Sequence, residues 1–213
     1  MSQIKKVGII ILAAGSSTRL GEPKQLLSYQ HKSLLARTIE AAKNAGDAKV
    51  VVILGDKHTA IAEDIEPLGV DVIYNAAWEE GMSSSVRVGL SALLKGQTGA
   101  GHAAADDVAA QLEGVILTVC DQPFLTSAVL QALLDEAKLS GKSIVASAYK
   151  DTLGTPVFFG RQYFEDLLAL KGAQGARMLL KKYEAELASV PFDKGEIDID
   201  TPEDYQKLIT QYI

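Results

Sequence analysis

A chain of 213 residues, 47% hydrophobic and 23% charged, is long enough to bury one sizeable core, and no apolar run in it approaches the ~18–20 residues of a membrane span. A formal net charge of −6 argues against general nucleic-acid binding, which calls for a basic stripe. One cysteine and three scattered histidines exclude an intramolecular disulfide and give no metal-ligand spacing.

The apolar pattern alternates between strand-like runs and helical spacing. Residues 7–13 read as a strand buried on both faces. The few residues before them form no separate apolar segment of the signal-peptide kind, so the sequence reads as cytoplasmic. Residues 33–45 have helical spacing through Leu34, Leu35, Ile39 and Ala42. A second strand at 49–54, a helix near 59–65 and a third strand at 70–74 follow. Residues 83–94 read as a helix with Ser83 as its N-cap. Residues 95–113, rich in Gly and Ala, read as a surface insertion. His102, Asp106 and Asp107 within it are of metal-binding types, but the favoured reading is a solvated loop. A fourth strand at 114–119 precedes a helix at 127–139 and a strand at 143–148. The last third holds short strands at 156–159 and 187–191 and helices at 162–168 and 175–182. A final helix opens on Thr201 and Asp204, a capping-box pair with Pro202 in the first turn. The repeated βα order predicts a single-domain α/β fold spanning 1–213, a doubly wound and mostly parallel sheet.

Four segments carry chemistry. The first is the loop after the first strand, where Leu12, Ala13, Ala14, Gly15 and Ser16 run on to Arg19 and Lys24. Small side chains let backbone N–H groups approach an anion, while Arg supplies a multi-donor fork and Lys a point charge. The spacing matches neither a P-loop nor a dinucleotide fingerprint. The second is Asp121, directly after a strand and so at the carboxyl edge of the sheet, where open α/β sheets bind ligands. A carboxylate there suits Mg²⁺. The neighbouring Cys120 reads as a small core residue. The third is the run from Asp198 through Asp200 to Thr201, and the fourth the Gly- and Ser-rich helix start from Gly81 to Ser85.

Together these segments resemble the nucleotidyltransferases with a glycosyltransferase-A-like fold, the nucleotide-diphospho-sugar transferase-like, Rossmann-like group. The similarity runs along nearly the whole chain. Among them the molybdenum cofactor cytidylyltransferase group is the nearest match, with its guanylyl-transferring relative second. The motifs that carry it are Leu12-Ala13-Ala14-Gly15, Gly81-Met82-Ser83-Ser84-Ser85, Cys120-Asp121-Gln122-Pro123, Gly154-Thr155-Pro156 and the turn from Gly172 to Arg177. The resemblance implies that residues 12–16, Arg19, Lys24, Gly81, Ser85 and Asp121 bind the nucleotide, with Arg19 and Lys24 catalytic. It implies Asp121 and Asp200 as ligands of Mg²⁺, with Asp198 the alternative to Asp200. Gly154, Thr155, Pro156 and Arg177 would face the acceptor. The expected reaction transfers CMP from CTP to the phosphate of molybdopterin and releases pyrophosphate, with a molybdenum hydroxylase as a transient partner. The alternatives are guanylyl transfer, transfer to another phosphorylated acceptor, or a non-catalytic cofactor carrier. Ala14 stands where guanylyl enzymes usually carry Gly, which favours CTP. Thr155 stands where the family commonly has His, a departure on the acceptor side.

Overall fold

The computed structural model describes residues 6–96 and 112–212. Most of the insertion expected at 95–113 lies outside the described residues. The framework is a seven-stranded sheet built from β1 (Val7–Ala13), β4 (Ala48–Leu54), β5 (Asp71–Tyr74), β6 (Gly114–Val119), β7 (Ile144–Tyr149), β8 (Thr152–Gly160) and β9 (Leu187–Pro191). Its order is β5-β4-β1-β6-β8-β7-β9. β2 (Ser28–Tyr29) and β3 (Lys32–Ser33) form a small separate hairpin. Every strand of the main sheet runs the same way except β8, which pairs antiparallel with both β6 and β7.

β1 is buried along its whole length, and its residues alternate between two cores. Ile9 and Ile11 meet Leu35 and Ile39 of α1 (Leu34–Lys43), Ile61 and Ile65 of α2 (His58–Ile65), and Leu130 and Leu133 of α4 (Ser127–Ser140). Ile10 and Leu12 meet Val86, Leu90 and Leu93 of α3 (Met82–Leu94), with Leu167 of α5 (Phe164–Leu168) and Leu179 of α6 (Arg177–Lys182). Helices on both faces explain why the strand reads as a continuous apolar run. No helix among the described residues is long and apolar enough to cross a membrane.

The helix ends follow local chemistry. Ser33 caps α1 by accepting from the Ala36 amide at 3.1 Å, and Thr126 caps α4. α7 (Pro202–Gln211) opens with the expected capping box between Thr201 and Asp204. The expected Ser83 cap of α3 is corrected: Gly81, at φ +99°, holds the cap position, and Ser83 lies inside the first turn, fully buried. Only glycine adopts that backbone readily. β8 is also longer than the strand expected at 156–159.

Register decides what meets at the functional edge. Ala13 pairs with Leu54 of β4, Leu12 with Val119 of β6, and Leu54 with Tyr74 of β5. The residues that follow, Ala14, Gly55, Asn75 and Asp121, therefore emerge side by side at the carboxyl edge. Because β8 runs backwards, its first residues reach the same edge beside the end of β7, with Ser147 opposite Gly154.

Candidate functional site

The loop after β1 is shaped by a buried side chain. Gln25 donates through Nε2 to the carbonyls of Ala13 (2.7 Å) and Gly15 (3.0 Å). Ser17 accepts from the Lys24 amide at 3.0 Å. Among the described residues, the amides of Gly15 and Ser16 donate no hydrogen bond, so they remain available to an anion. Lys24 is thereby directed across the edge, where its Nζ donates to Asp121 Oδ2 and to Asp200 Oδ1, each at 2.7 Å. Arg19 donates through Nη2 to the other oxygen of Asp200 at 2.8 Å. Two cations of the first loop and two carboxylates from distant segments thus form one cluster.

Each carboxylate is held by the fold. Asp121 follows β6, and its carbonyl accepts from the Ile199 amide at 3.0 Å, fastening the 198–201 segment to the strand end. Ile199 is fully buried with Leu27, Tyr29, Leu34 and Leu208, so the flanking Asp198 and Asp200 are anchored through it. α7 is tied back as well: Tyr205 donates to the Ser28 carbonyl at 2.8 Å, and Tyr29 to the Tyr212 carbonyl. One satellite core therefore braces the segments carrying Lys24 and Asp200.

The charges perturb one another. Burial pulls the Lys24 ammonium down, but the charge and hydrogen bonds of Asp121 and Asp200 outweigh it and hold its pKa above the ordinary lysine value. Burial pushes the Asp200 carboxyl up, and Lys24 and Arg19 more than reverse that, leaving it below the usual carboxylate range. Asp198, which lacks those partners, is raised by burial and by the charges of Asp121 and Asp200. The structure thus brings Asp200, not Asp198, into contact with the first loop. Cys120 is buried and its thiol is pushed up to about 12, first by burial and then by Asp121, which fits an inert core residue. No group of three or more potential metal ligands occurs among the described residues. The pair Asp121 and Asp200 nonetheless suits a hard divalent cation that takes its remaining ligands from phosphate oxygens and water.

A cavity of about 680 Å³ reaches Leu12 and Val119 at the ends of β1 and β6 and is lined also by Met82, Tyr149, Gly154, Thr155 and Arg177. Three of the four residues expected on the acceptor side therefore share one wall. Pro156 is not among the lining residues; its carbonyl accepts from Ser147 Oγ at 2.8 Å. Gln122 clamps the region, donating to the carbonyls of Gly195 (2.7 Å) and Thr155 (3.2 Å). Tyr149 went unnoticed in the sequence. A Cβ at Gly154 would lie 2.0 Å from its hydroxyl, so glycine there is what admits the phenol. A larger cavity of about 1000 Å³ adjoins, sharing Leu153, Gln174, Arg177 and Leu180.

Gly81 and Ser85 have different fates. Gly81 turns the chain into α3 and abuts the 172–176 turn, a Cβ there lying 2.7 Å from Ala173 Cα. Ser85 is only 3% exposed, and its hydroxyl accepts from Asn75 Nδ2 at 3.0 Å. Asn75 also donates to Ser84 Oγ at 2.8 Å, so these serines hold the 75–85 segment together.

Unsatisfied loop amides, two loop cations and two carboxylates at the carboxyl edge of an open α/β sheet are the apparatus of a nucleotide-phosphate site. The MobA-like NTP transferase domain family matches residues 9–187, and the chain belongs to that family. The chain is 28% identical over 206 residues to the purine catabolism protein PucB of Bacillus subtilis (strain 168), covering 93% of this chain and 94% of that one. It is 26% identical to the nicotine blue oxidoreductase of Paenarthrobacter nicotinovorans, covering 94% and 95%. Among solved structures, Rv0371C of Mycobacterium tuberculosis H37Rv in complex with manganese superposes with a TM-score of 0.74 at 26% identity, over 98% of this chain and all of that one.

Proposed function

We propose that this member of the family is a Mg²⁺-dependent cytidylyltransferase that transfers CMP from CTP to the phosphate of a molybdopterin-type acceptor. The observation that carries the reading is the contact of Lys24 with both Asp121 and Asp200, with Arg19 on the same carboxylate. A phosphate oxygen of the acceptor attacks the α-phosphorus, the bond to the bridging oxygen breaks, and pyrophosphate leaves with that electron pair. A phosphate monoester, with a second pKa of about 6, is already largely dianionic at neutral pH and needs no general base. The protein's task is alignment and neutralisation of charge.

Each residue has a place in that task. Arg19 and Lys24 stabilise the departing pyrophosphate, and the amides of Gly15 and Ser16 hold phosphate oxygens. Leu12, Ala13 and Ala14 continue the nucleotide side, and Gly81 sets the start of α3 beside it. Asp121 and Asp200 would hold the divalent cation, which when bound offsets phosphate charge; the manganese complex of a relative supports a divalent ion. Gly154, Thr155 and Arg177 face the acceptor. Ala14 favours CTP because its methyl takes space a purine would use, a discrimination of ~1–3 kcal/mol.

The test is pyrophosphate release with each of the four common NTPs, with and without molybdopterin. The expected result is release that needs acceptor and divalent cation and is faster with CTP than with GTP. Faster release with GTP would make the protein a guanylyltransferase. Release only with a sugar or polyol phosphate would move the acceptor, and cofactor retention without any release would make it a carrier.

A further inference from the structure

Three of the four carboxylate oxygens of Asp121 and Asp200 accept from a cation of the first loop. Asp121 Oδ2 and Asp200 Oδ1 share the Lys24 ammonium at 2.7 Å each, and Asp200 Oδ2 takes Arg19 at 2.8 Å. Mg²⁺ binds its oxygens at about 2.0–2.1 Å, closer than the ammonium stands. The ammonium thus fills the space that a cation bridging these two oxygens would take. The exclusion is electrostatic as well as steric. The Lys24 and Asp121 side chains are only 16% and 18% exposed. Two positive and two negative groups balance there, so a bare divalent ion would add uncompensated charge and strand a poorly solvated ammonium. A polyphosphate alters that balance by bringing negative charge of its own. The loop also gives the ammonium a second destination. The Lys24 amide is fastened to Ser17 Oγ at 3.0 Å, and Gln25 is pinned to the carbonyls of Ala13 and Gly15. The backbone at Lys24 is therefore held in the loop that offers the Gly15 and Ser16 amides to an anion. The long, flexible side chain can turn from carboxylate to phosphate without moving it.

We propose that the Lys24 ammonium and a divalent cation are mutually exclusive occupants of the position between Asp121 and Asp200, and that a polyphosphate admits the cation by taking up the ammonium; the proposal rests on the nucleotidyltransferase reading. Lys24 then acts as a placeholder that makes cation entry depend on nucleotide. Binding of the two is cooperative, and the coupling is reciprocal: nucleotide raises cation affinity by the factor by which cation raises nucleotide affinity. Arg19 does not share this role, because it meets only the outer oxygen of Asp200 and its side chain is mostly exposed.

The probe is Mn²⁺, whose free ion is counted by electron paramagnetic resonance, titrated into the full-length protein without nucleotide. Lys24→Met should bind Mn²⁺ about tenfold or more tighter than wild type, because the ion no longer competes with a charge-assisted hydrogen bond to each carboxylate. Arg19→Ala should change the affinity about fivefold or less, as expected for an exposed pair. Adding Asp121→Asn to Lys24→Met should remove the gain and so locate the ion between the two carboxylates. Should Lys24→Met fail to fold, Lys24→Gln, which keeps a donor for the carboxylates, is expected to show the same gain. In wild type, equilibrium dialysis should show CTP binding about tenfold or more tighter with Mn²⁺ than without it. Mn²⁺ affinity at or below wild type in a folded Lys24 variant would overturn the proposal and leave the nucleotidyltransferase reading intact. So would a gain that survives Asp121→Asn, or CTP binding indifferent to Mn²⁺. If wild type binds no CTP with or without Mn²⁺, the nucleotidyltransferase reading itself falls, and the coupling with it.

Discussion

Lys24 and Arg19 belong to the same loop but carry different loads. Lys24 is mostly enclosed and touches two carboxylates; the Arg19 side chain is 68% exposed and touches one. Exposed ion pairs contribute at most about 1 kcal/mol to stability, so Arg19→Ala should leave thermal unfolding close to wild type. Under the proposed function its effect belongs to turnover, where it would face phosphate charge. Lys24→Ala should lower the rate of pyrophosphate release by about a hundredfold or more, and it also leaves Asp121 and Asp200 without their shared counter-ion. A Lys24→Ala enzyme with wild-type turnover would remove this residue from the machinery. Both cations were legible in the sequence because the loop pattern is local. Their pairing was not: Lys24 reaches across 97 residues to Asp121 and 176 to Asp200. Tyr149 was illegible for a different reason. It matters through Gly154 in the next strand, which makes room for its hydroxyl, and sequence spacing does not record such a vacancy.

The elements divide in the same way. β1, β4 and β6 announce themselves as apolar runs because both faces are covered. β8 does not: Thr152, Leu153, Gly154 and Thr155 precede a proline, a composition that reads as loop, yet the first three pair with Tyr149, Ala148 and Ser147 of β7 before the register shifts. The β2–β3 hairpin, two residues a side, is too short to leave any period. The capping box of α7 was legible in full, and it offers a pH test. The hydrogen bond from Thr201 lowers the Asp204 carboxyl below its ordinary value, against a smaller effect of burial. A depressed carboxylate contributes stability above the unfolded pKa of about 3.9, and that contribution is lost as pH falls through the folded value. Urea unfolding of wild type and Asp204→Asn should therefore differ at neutral pH and converge in acid. A gap that persists below the folded pKa would show that the carboxylate charge plays no part in the cap. Gly154→Ala should cost about 1–3 kcal/mol through overpacking against Tyr149, with part of the loss recovered in the Tyr149→Phe background.

At the scale of the whole molecule, the two cores on either side of the sheet supply the framework while the edge loops supply the chemistry. Ligand binding should therefore show as added stability without a change of fold. At a hundredfold excess over its Kd, CTP with a divalent cation should stabilise the protein by about 2.7 kcal/mol. Chelating the cation, or the Asp121→Asn and Asp200→Asn substitutions together, should abolish the cation-dependent part of the rise in Tm. A rise indifferent to both would place the cation elsewhere.

The start of α3 and the 172–176 turn touch at two points, Gly81 against Ala173 and Gly175 against the Met82 sulfur, where a Cβ would come within 2.7 and 2.8 Å. Met82, Ala173 and Gln174 also line the cavity of about 680 Å³. Under the proposed function these two contacts join the segment that opens α3, on the nucleotide side, to the turn that lines the acceptor side. A displacement of one by a bound substrate would be felt by the other, and equilibrium binding makes any such effect mutual: the factor by which nucleotide alters acceptor affinity is the factor by which acceptor alters nucleotide affinity. On that reading, the order in which the two substrates load is open to these contacts.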